Sequence, residues 1–249
     1  MKPLRPFFSY YGGKWRAAPR YPAPMHDTIV EPFAGSAGYS LRYPDHKVIL
    51  IDKDPNIVET WRYLLRVSEA EILSLPDIKP GQTVDDIGVH EDARRLIGWW
   101  LNSATTAPRR SLSKWQTESL GGNKAHWGLR MRQRIADQIG SIRHWRVIEG
   151  DYTDSPDAFA TWFVDPPYQV AGTHYRCGSG DIDFGHLAQW CRSRRGQVVV
   201  CENKGACWLP FVDVGLLHAT SSGGAGKRSA EVVWTQGGPM MEGNQLRLL

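Results

Sequence analysis

Two rhythms of hydrophobic and polar positions run along this chain. Short apolar runs bounded by turn formers predict buried strands at Ile29 to Phe33, Lys47 to Asp52, Trp145 to Ile148, Thr161 to Val164, Gln197 to Cys201, Val212 to Leu217 and Glu231 to Thr235. Asp54 to Arg66 carries Ile57, Val58, Trp61, Leu64 and Leu65 at helical spacing, with Pro55 suited to a first turn. Asp92 to Leu101 and His126 to Ile142 also predict helices, whereas Pro76 to Asp86 and the polar stretch Asn102 to Lys124 predict loops. Strands alternating with helices predict an α/β domain built on a mostly parallel sheet with both faces covered. The rhythm breaks between the second and third strands. The expected division is a sheet domain from 1–66 and 145–249, with a helical subdomain inserted at 67–144.

Composition narrows this picture. The chain has 249 residues, enough for one domain with a sizeable insertion, and 41% of them are hydrophobic, enough for a core. The net charge of +4 is mild, but its distribution is uneven. From Arg94 to Arg146 eleven Lys/Arg stand against two acids, Glu118 and Asp137, so the rest of the chain is acidic on balance. Such asymmetry suggests a basic face for phosphates. A solvated helical surface reads the same way on charge alone. The four cysteines, Cys177, Cys191, Cys201 and Cys207, form no Cys-x-x-Cys pair, and the histidines do not cluster near them at zinc spacing, so free thiols and no metal are expected. With no hydrophobic signal core and no long apolar run, a cytoplasmic protein is expected, a monomer or weak dimer, away from membranes.

The sharpest chemical signal is Asp165-Pro166-Pro167-Tyr168, which follows the apolar run Thr161 to Val164. Ligands of open α/β sheets bind outside the carboxyl ends of the strands, where this tetrapeptide would sit. Two prolines fix φ and remove two backbone donors. A planar amine there would meet the Asp165 carboxylate and the Pro166 carbonyl, with the Tyr168 ring to stack on. A plain Pro-Pro turn is the simpler alternative for these four residues alone.

Asp-Pro-Pro-Tyr at a strand end resembles the catalytic motif of amino-methyltransferases acting on exocyclic nitrogens of nucleobases. Four more stretches resemble, in order, the Dam-type (D12 class) DNA adenine-N6 methyltransferases: Tyr10-Tyr11-Gly12-Gly13-Lys14, Glu31-Pro32-Phe33-Ala34-Gly35-Ser36-Ala37-Gly38, Ile51-Asp52-Lys53-Asp54-Pro55-Asn56 and Gly150-Asp151-Tyr152. The likeness spans nearly the whole chain. It implies a Rossmann-like sheet carrying S-adenosylmethionine and an insertion that reads double-stranded DNA in a bacterial or phage-infected cell.

By this resemblance a strand-to-helix turn at Glu31 to Gly38 cradles the methionine moiety, its glycines 35 and 38 allowing close backbone approach, with Phe33 beside it. Asp52, with Asp54 as a rival, would accept from the ribose hydroxyls, Asp151 from the adenine amine, and Tyr152 would lie on that ring. Asp151 as a simple turn or cap is the alternative. Tyr10, Tyr11 and Gly13 would cover the methionine end, Lys14 pairing its carboxylate. Position 10 is tyrosine where the family often has tryptophan. Asp165, Pro166, Pro167 and Tyr168 would handle the target adenine, flipped out of the duplex, and Asp165 would also border the cofactor.

For DNA, the interleaved Arg109, Arg110, Lys114, Lys124, Arg130, Arg132 and Arg134 are candidates for phosphate or guanine contact, with Arg109 and Arg110 foremost. Trp99, Trp100, Trp115 and Trp127 between them read better as the core of the insertion than as base-stacking groups. The loop Gln169 to Asp181, with His174, Tyr175 and Arg176, would close over the extruded nucleotide or be an ordinary loop. Lys227-Arg228-Ser229-Ala230-Glu231 resembles a basic-x-x-Glu pattern that borders the target-base pocket in the family, with Lys227 a DNA candidate. Competing readings keep the chemistry on RNA, remove it to leave a silent DNA-binding protein, or move it to cytosine N4, whose enzymes usually carry serine at the aspartate.

Overall fold

The computed structural model describes residues 2–102, 104–112, 126–170, 175–218, 228–238, 240–242 and 245–247. Its centre is a seven-stranded sheet of order β3-β2-β1-β4-β5-β7-β6, formed by β1 (Thr28–Glu31), β2 (Lys47–Asp52), β3 (Arg146–Glu149), β4 (Phe159–Val164), β5 (Arg195–Asn203), β6 (Val212–His218) and β7 (Arg228–Gln236). The first five pair in parallel, and β7 inserts antiparallel between β5 and β6. A short hairpin of β8 (Met240–Glu242) and β9 (Gln245–Arg247) follows. The seven strand expectations all land on strands. The antiparallel β7 is a feature that apolar runs do not encode, because they carry no direction.

Strand order reverses between β1 and β4, which lie side by side. Their carboxyl ends therefore flank the crevice where open α/β sheets take ligands. One such end leads into the glycine turn after Glu31 and the other into Asp165.

Side chains alternate between the two faces of the sheet, as strand geometry requires. Ile29, Leu50, Phe163, Val199 and Cys201 enter one hydrophobic cluster, and Val30, Ile51, Trp162, Val164, Val198 and Val200 enter the other. The first face is covered by α1 (Pro55–Arg66) and by the chain between β2 and β3: α2 (Glu69–Ser74), α3 (Glu91–Gly98) and α4 (Leu129–Ile139). The second is covered by α5 (Phe184–Ser193) through Leu187, Ala188, Trp190 and Cys191. α1 forms as its pattern predicts, with Ile57, Val58, Trp61 and Leu64 buried and the Asp54 carboxylate capping it by accepting from the Asn56 N–H at 2.9 Å.

The buried hydrophobic residues described in 67–144 share one cluster with the sheet's own covering layer. Trp99, Trp100 and Trp127 are buried in that cluster, as core tryptophans; Trp115 lies outside the described residues. The segment after β1 departs from expectation. No α-helix follows the glycine turn, only a single 3-10 turn at Ser40–Arg42. Among the described residues no helix is long and apolar enough to cross a membrane.

Candidate active site at the β1–β4 crevice

The turn after β1 is built to let other groups approach closely. Gly35 has φ +45°, and a methyl group added there would stand 2.9 Å from the Tyr10 ring. A methyl on Gly38 would lie 2.5 Å from the Trp15 backbone nitrogen and 2.8 Å from that of Lys14. Glycine at both positions thus lets the N-terminal segment, Tyr10 to Trp15, lie against the turn. Asp52, at the end of β2, ties the turn down. One carboxylate oxygen accepts from the Gly35 N–H at 2.9 Å and the other from the Asp54 N–H at 2.9 Å. Burial pushes its pKa up to about 6 against the opposing pull of these amides.

Above the turn lies a cavity enclosing about 880 Å³, part of it open to solvent. Tyr10, Tyr11, Gly13, Lys14, Glu31, Phe33, Gly35, Gly38, Asp52, Asp151, Tyr152 and Asp165, every cofactor candidate read from the sequence, border it. The glycine turn and Asp165 therefore face one space, although 130 residues separate Gly35 from Asp165 in the chain.

Within that space the roles differ from residue to residue. Glu31 is only 2% exposed, accepts from the Ser40 N–H at 2.8 Å, and has its pKa pushed up to about 8 by burial. Asp151 caps the short turn after β3, accepting from the Tyr152 N–H at 2.6 Å, and pairs with Lys53. The cap reading of Asp151 is thus real, and it leaves the residue on the cavity wall. Tyr152 tilts against Phe33 with ring centres 5.7 Å apart, its hydroxyl on His186 Nδ1 at 2.6 Å. Asp54 lines the same wall while capping α1.

Lys14 is placed differently from its expected role. Its ammonium sits 2.9 Å from Asp165 Oδ1, donates to the Gly12 carbonyl at 3.3 Å, and lies 4.6 Å over the Tyr168 ring. The lysine pKa is raised by Asp165 and then Glu231 against the opposing cost of burial, so it stays charged. Asp165 itself, about a fifth exposed, has its pKa pushed up to about 6, because burial outweighs the attraction of Lys14. Pro167 borders the cavity; Pro166 is buried behind it. Tyr168 does not border the cavity. One face of its ring is under Lys14, and its hydroxyl donates to Glu231 Oε2 at 2.5 Å.

The DNA candidates scatter. Tyr175 and Arg176 stand on the cavity wall, Tyr175 packed on the Tyr10 and Tyr11 rings and Arg176 3.6 Å from Asp54. Arg109 is exposed, where residues 108 and 109 cross the end of α3 beside Gly98. Arg110 is paired with Asp85, which also holds Arg94 at 3.1 Å. Arg130 is exposed in the first turn of α4. Arg132 is corrected: it is buried on the Leu75 carbonyl and Asp77, out of reach of phosphates. Arg134 is half-buried over Trp100. Lys114, Lys124 and Lys227 lie outside the described residues, as does His174.

Sequence reading gave no role to Lys53, Cys177, Asp181 and Ile182, which border the cavity, although Lys53 stands in the stretch quoted around Asp52 and Cys177 and Asp181 in the loop Gln169 to Asp181. No protein-family model matches the chain, and no curated protein matches it.

Proposed function

We propose that this protein is an S-adenosylmethionine-dependent methyltransferase acting on the N6 amine of adenine in double-stranded DNA. The observation that carries the reading is the single cavity bordered by both the glycine turn after β1 and Asp165 at the end of β4. Its chemistry fits this cofactor: its wall combines close-packed glycines, the Phe33 and Tyr152 rings, and carboxylates. Asp52 would accept from the ribose hydroxyls, Asp151 from the adenine amine, and Glu31 would face the methionine end. When bound, the cofactor supplies an electrophilic sulfonium methyl.

The chain's own task is to present the amine. Adenine N6 is a weak nucleophile because its lone pair is delocalised into the ring. Accepting hydrogen bonds from both N–H groups, at Asp165 and the Pro166 carbonyl, favours a pyramidal nitrogen with a directed lone pair. As N6 took the methyl, the carbon–sulfur bond would break to leave a neutral thioether, and the Asp165 carboxylate would stabilise the positive charge growing on nitrogen. One well-placed preorganised group of this kind is worth roughly 2.7–4 kcal/mol. The product ammonium then loses a proton to solvent. Lys14 has to leave Asp165 for the amine to dock there, and the Tyr168 ring would be the stacking surface for the flipped base. Of the described candidates Arg109, Arg110 and Arg130 are exposed for phosphates, Arg110 while paired with Asp85, and Tyr175 and Arg176 stand on the cavity wall.

Radiolabelled methyl transfer to duplex DNA, compared with structured RNA, tests the proposal. Label in DNA adenine supports it; label in RNA alone replaces the substrate, and cofactor binding without transfer to either leaves a silent relative.

A further inference from the structure

Glu231 is buried, 4% exposed, on the middle of β7. Among the described residues no lysine or arginine comes within ion-pair distance of it. Its Oε2 instead accepts the Tyr168 hydroxyl at 2.5 Å and, more weakly, the Tyr21 hydroxyl at 3.5 Å. Burying a carboxylate is costly unless its oxygens find donors, and here one oxygen takes two tyrosine hydroxyls. The short bond is the charge-assisted kind, stronger and more directional than a bond between neutral groups. It fixes the far end of a ring whose near end leaves the Asp165 turn, and whose face carries the Lys14 ammonium at 4.6 Å. The ring is thereby held at both ends. Neither Tyr168 nor Glu231 borders the cavity after β1, so the contact is separate from the groups proposed to hold the cofactor.

We propose that Glu231 is a positioning residue, which fixes the plane of the Tyr168 ring through its hydroxyl and so sets where the target base stacks. The inference rests on the methyltransferase reading for its purpose, but the contact is measurable without it. Positioning by a neighbour is worth far more in rate than in binding, because reacting atoms must align within a fraction of an ångström.

Four variants and three measurements test it. E231A and Y168F should each lower kcat about tenfold, the equivalent of one lost hydrogen bond. Affinity for S-adenosylmethionine should stay within twofold. The double variant should be no slower than either single one, because both remove the same bond. E231Q keeps an acceptor in place and should recover most of what E231A loses. Independently, 3-fluorotyrosine NMR, with the Tyr168 signal assigned by its loss in Y168F, should show that signal shifted and broadened in E231A and nearly native in E231Q. Additive losses in the double variant, wild-type kcat in Y168F, or an unmoved Tyr168 signal in E231A would each overturn the proposal. If E231A does not fold, E231Q and Y168F still decide it. A native protein that transfers no methyl group, with the fluorine shifts as expected, refutes the methyltransferase reading and leaves the contact standing.

Discussion

Replacing Asp165 with asparagine should make the protein more stable at neutral pH while destroying its proposed activity. The reason lies in the burial of the carboxylate. Its pKa is pushed up to about 6 from an ordinary value of 3.8, because burial outweighs Lys14 2.9 Å away. The folded state therefore binds the proton more tightly than the unfolded state. Stability from this group is complete below pH 4 and is lost as pH rises through 6. The difference of about two pKa units is worth roughly 3 kcal/mol at pH 8. Asparagine keeps the shape and discards the charge, so the variant should gain up to that amount at pH 8 and almost nothing near pH 3. For a chain of this length, a gain of 2–3 kcal/mol raises Tm by about 4–12 °C. Thermal melts followed by circular dichroism at pH 3, 5, 6.5 and 8 measure the trend. A variant that melts below wild type at pH 8, or a gap that does not widen between pH 4 and 6, would refute the reasoning. It would mean that Lys14 depends on Asp165 more than Asp165 suffers from burial.

Other perturbations bear on separate parts of the account. Glu31→Gln should also stabilise, by up to about 5 kcal/mol, with the gap opening between pH 4.5 and 8, because the pKa of Glu31 is pushed up to about 8; pH-dependent urea melts would show it. Gly35→Ala forces alanine to φ +45° and brings its methyl to 2.9 Å from the Tyr10 ring, so it should cost at least about 1–2 kcal/mol and weaken cofactor binding in calorimetry. Of Arg109 and Arg110, only the first is free of an acid partner among the described residues. Arg109→Ala should reduce the salt slope of duplex binding by about 0.9, and Arg110→Ala by less; equal slopes for the two would remove Asp85 from the explanation.

Much of the sheet was legible because buried parallel strands read as apolar runs, and the Asp165 turn was legible because two prolines punctuate such a run. α5 was missed although its signals were present: Asp183 accepts from the His186 N–H at 3.0 Å as a cap, and Leu187, Ala188, Trp190 and Cys191 form its buried face. Two aromatic residues and a glycine within ten residues masked that pattern. α2 is only six residues long, yet Ser68 caps it from the position a capping motif predicts. The cavity wall was legible from glycines and carboxylates at strand ends. The partners of those carboxylates were not. Lys14 meets Asp165, and Tyr168 meets Glu231 across 63 residues, only because β4 lies beside β1 and β7 beside β5. Charge counting overstated the free cations of the insertion, because it could not see Asp85 and Asp77 folding back on Arg110 and Arg132.

The most direct test is chemical analysis of DNA from cells expressing the protein. Genomic DNA digested to nucleosides and resolved by mass spectrometry should contain N6-methyldeoxyadenosine with the native chain and none above background with Asp165→Asn. An unmethylated genome in cells holding folded, cofactor-competent protein, or methylation that persists in the asparagine variant, would contradict the account.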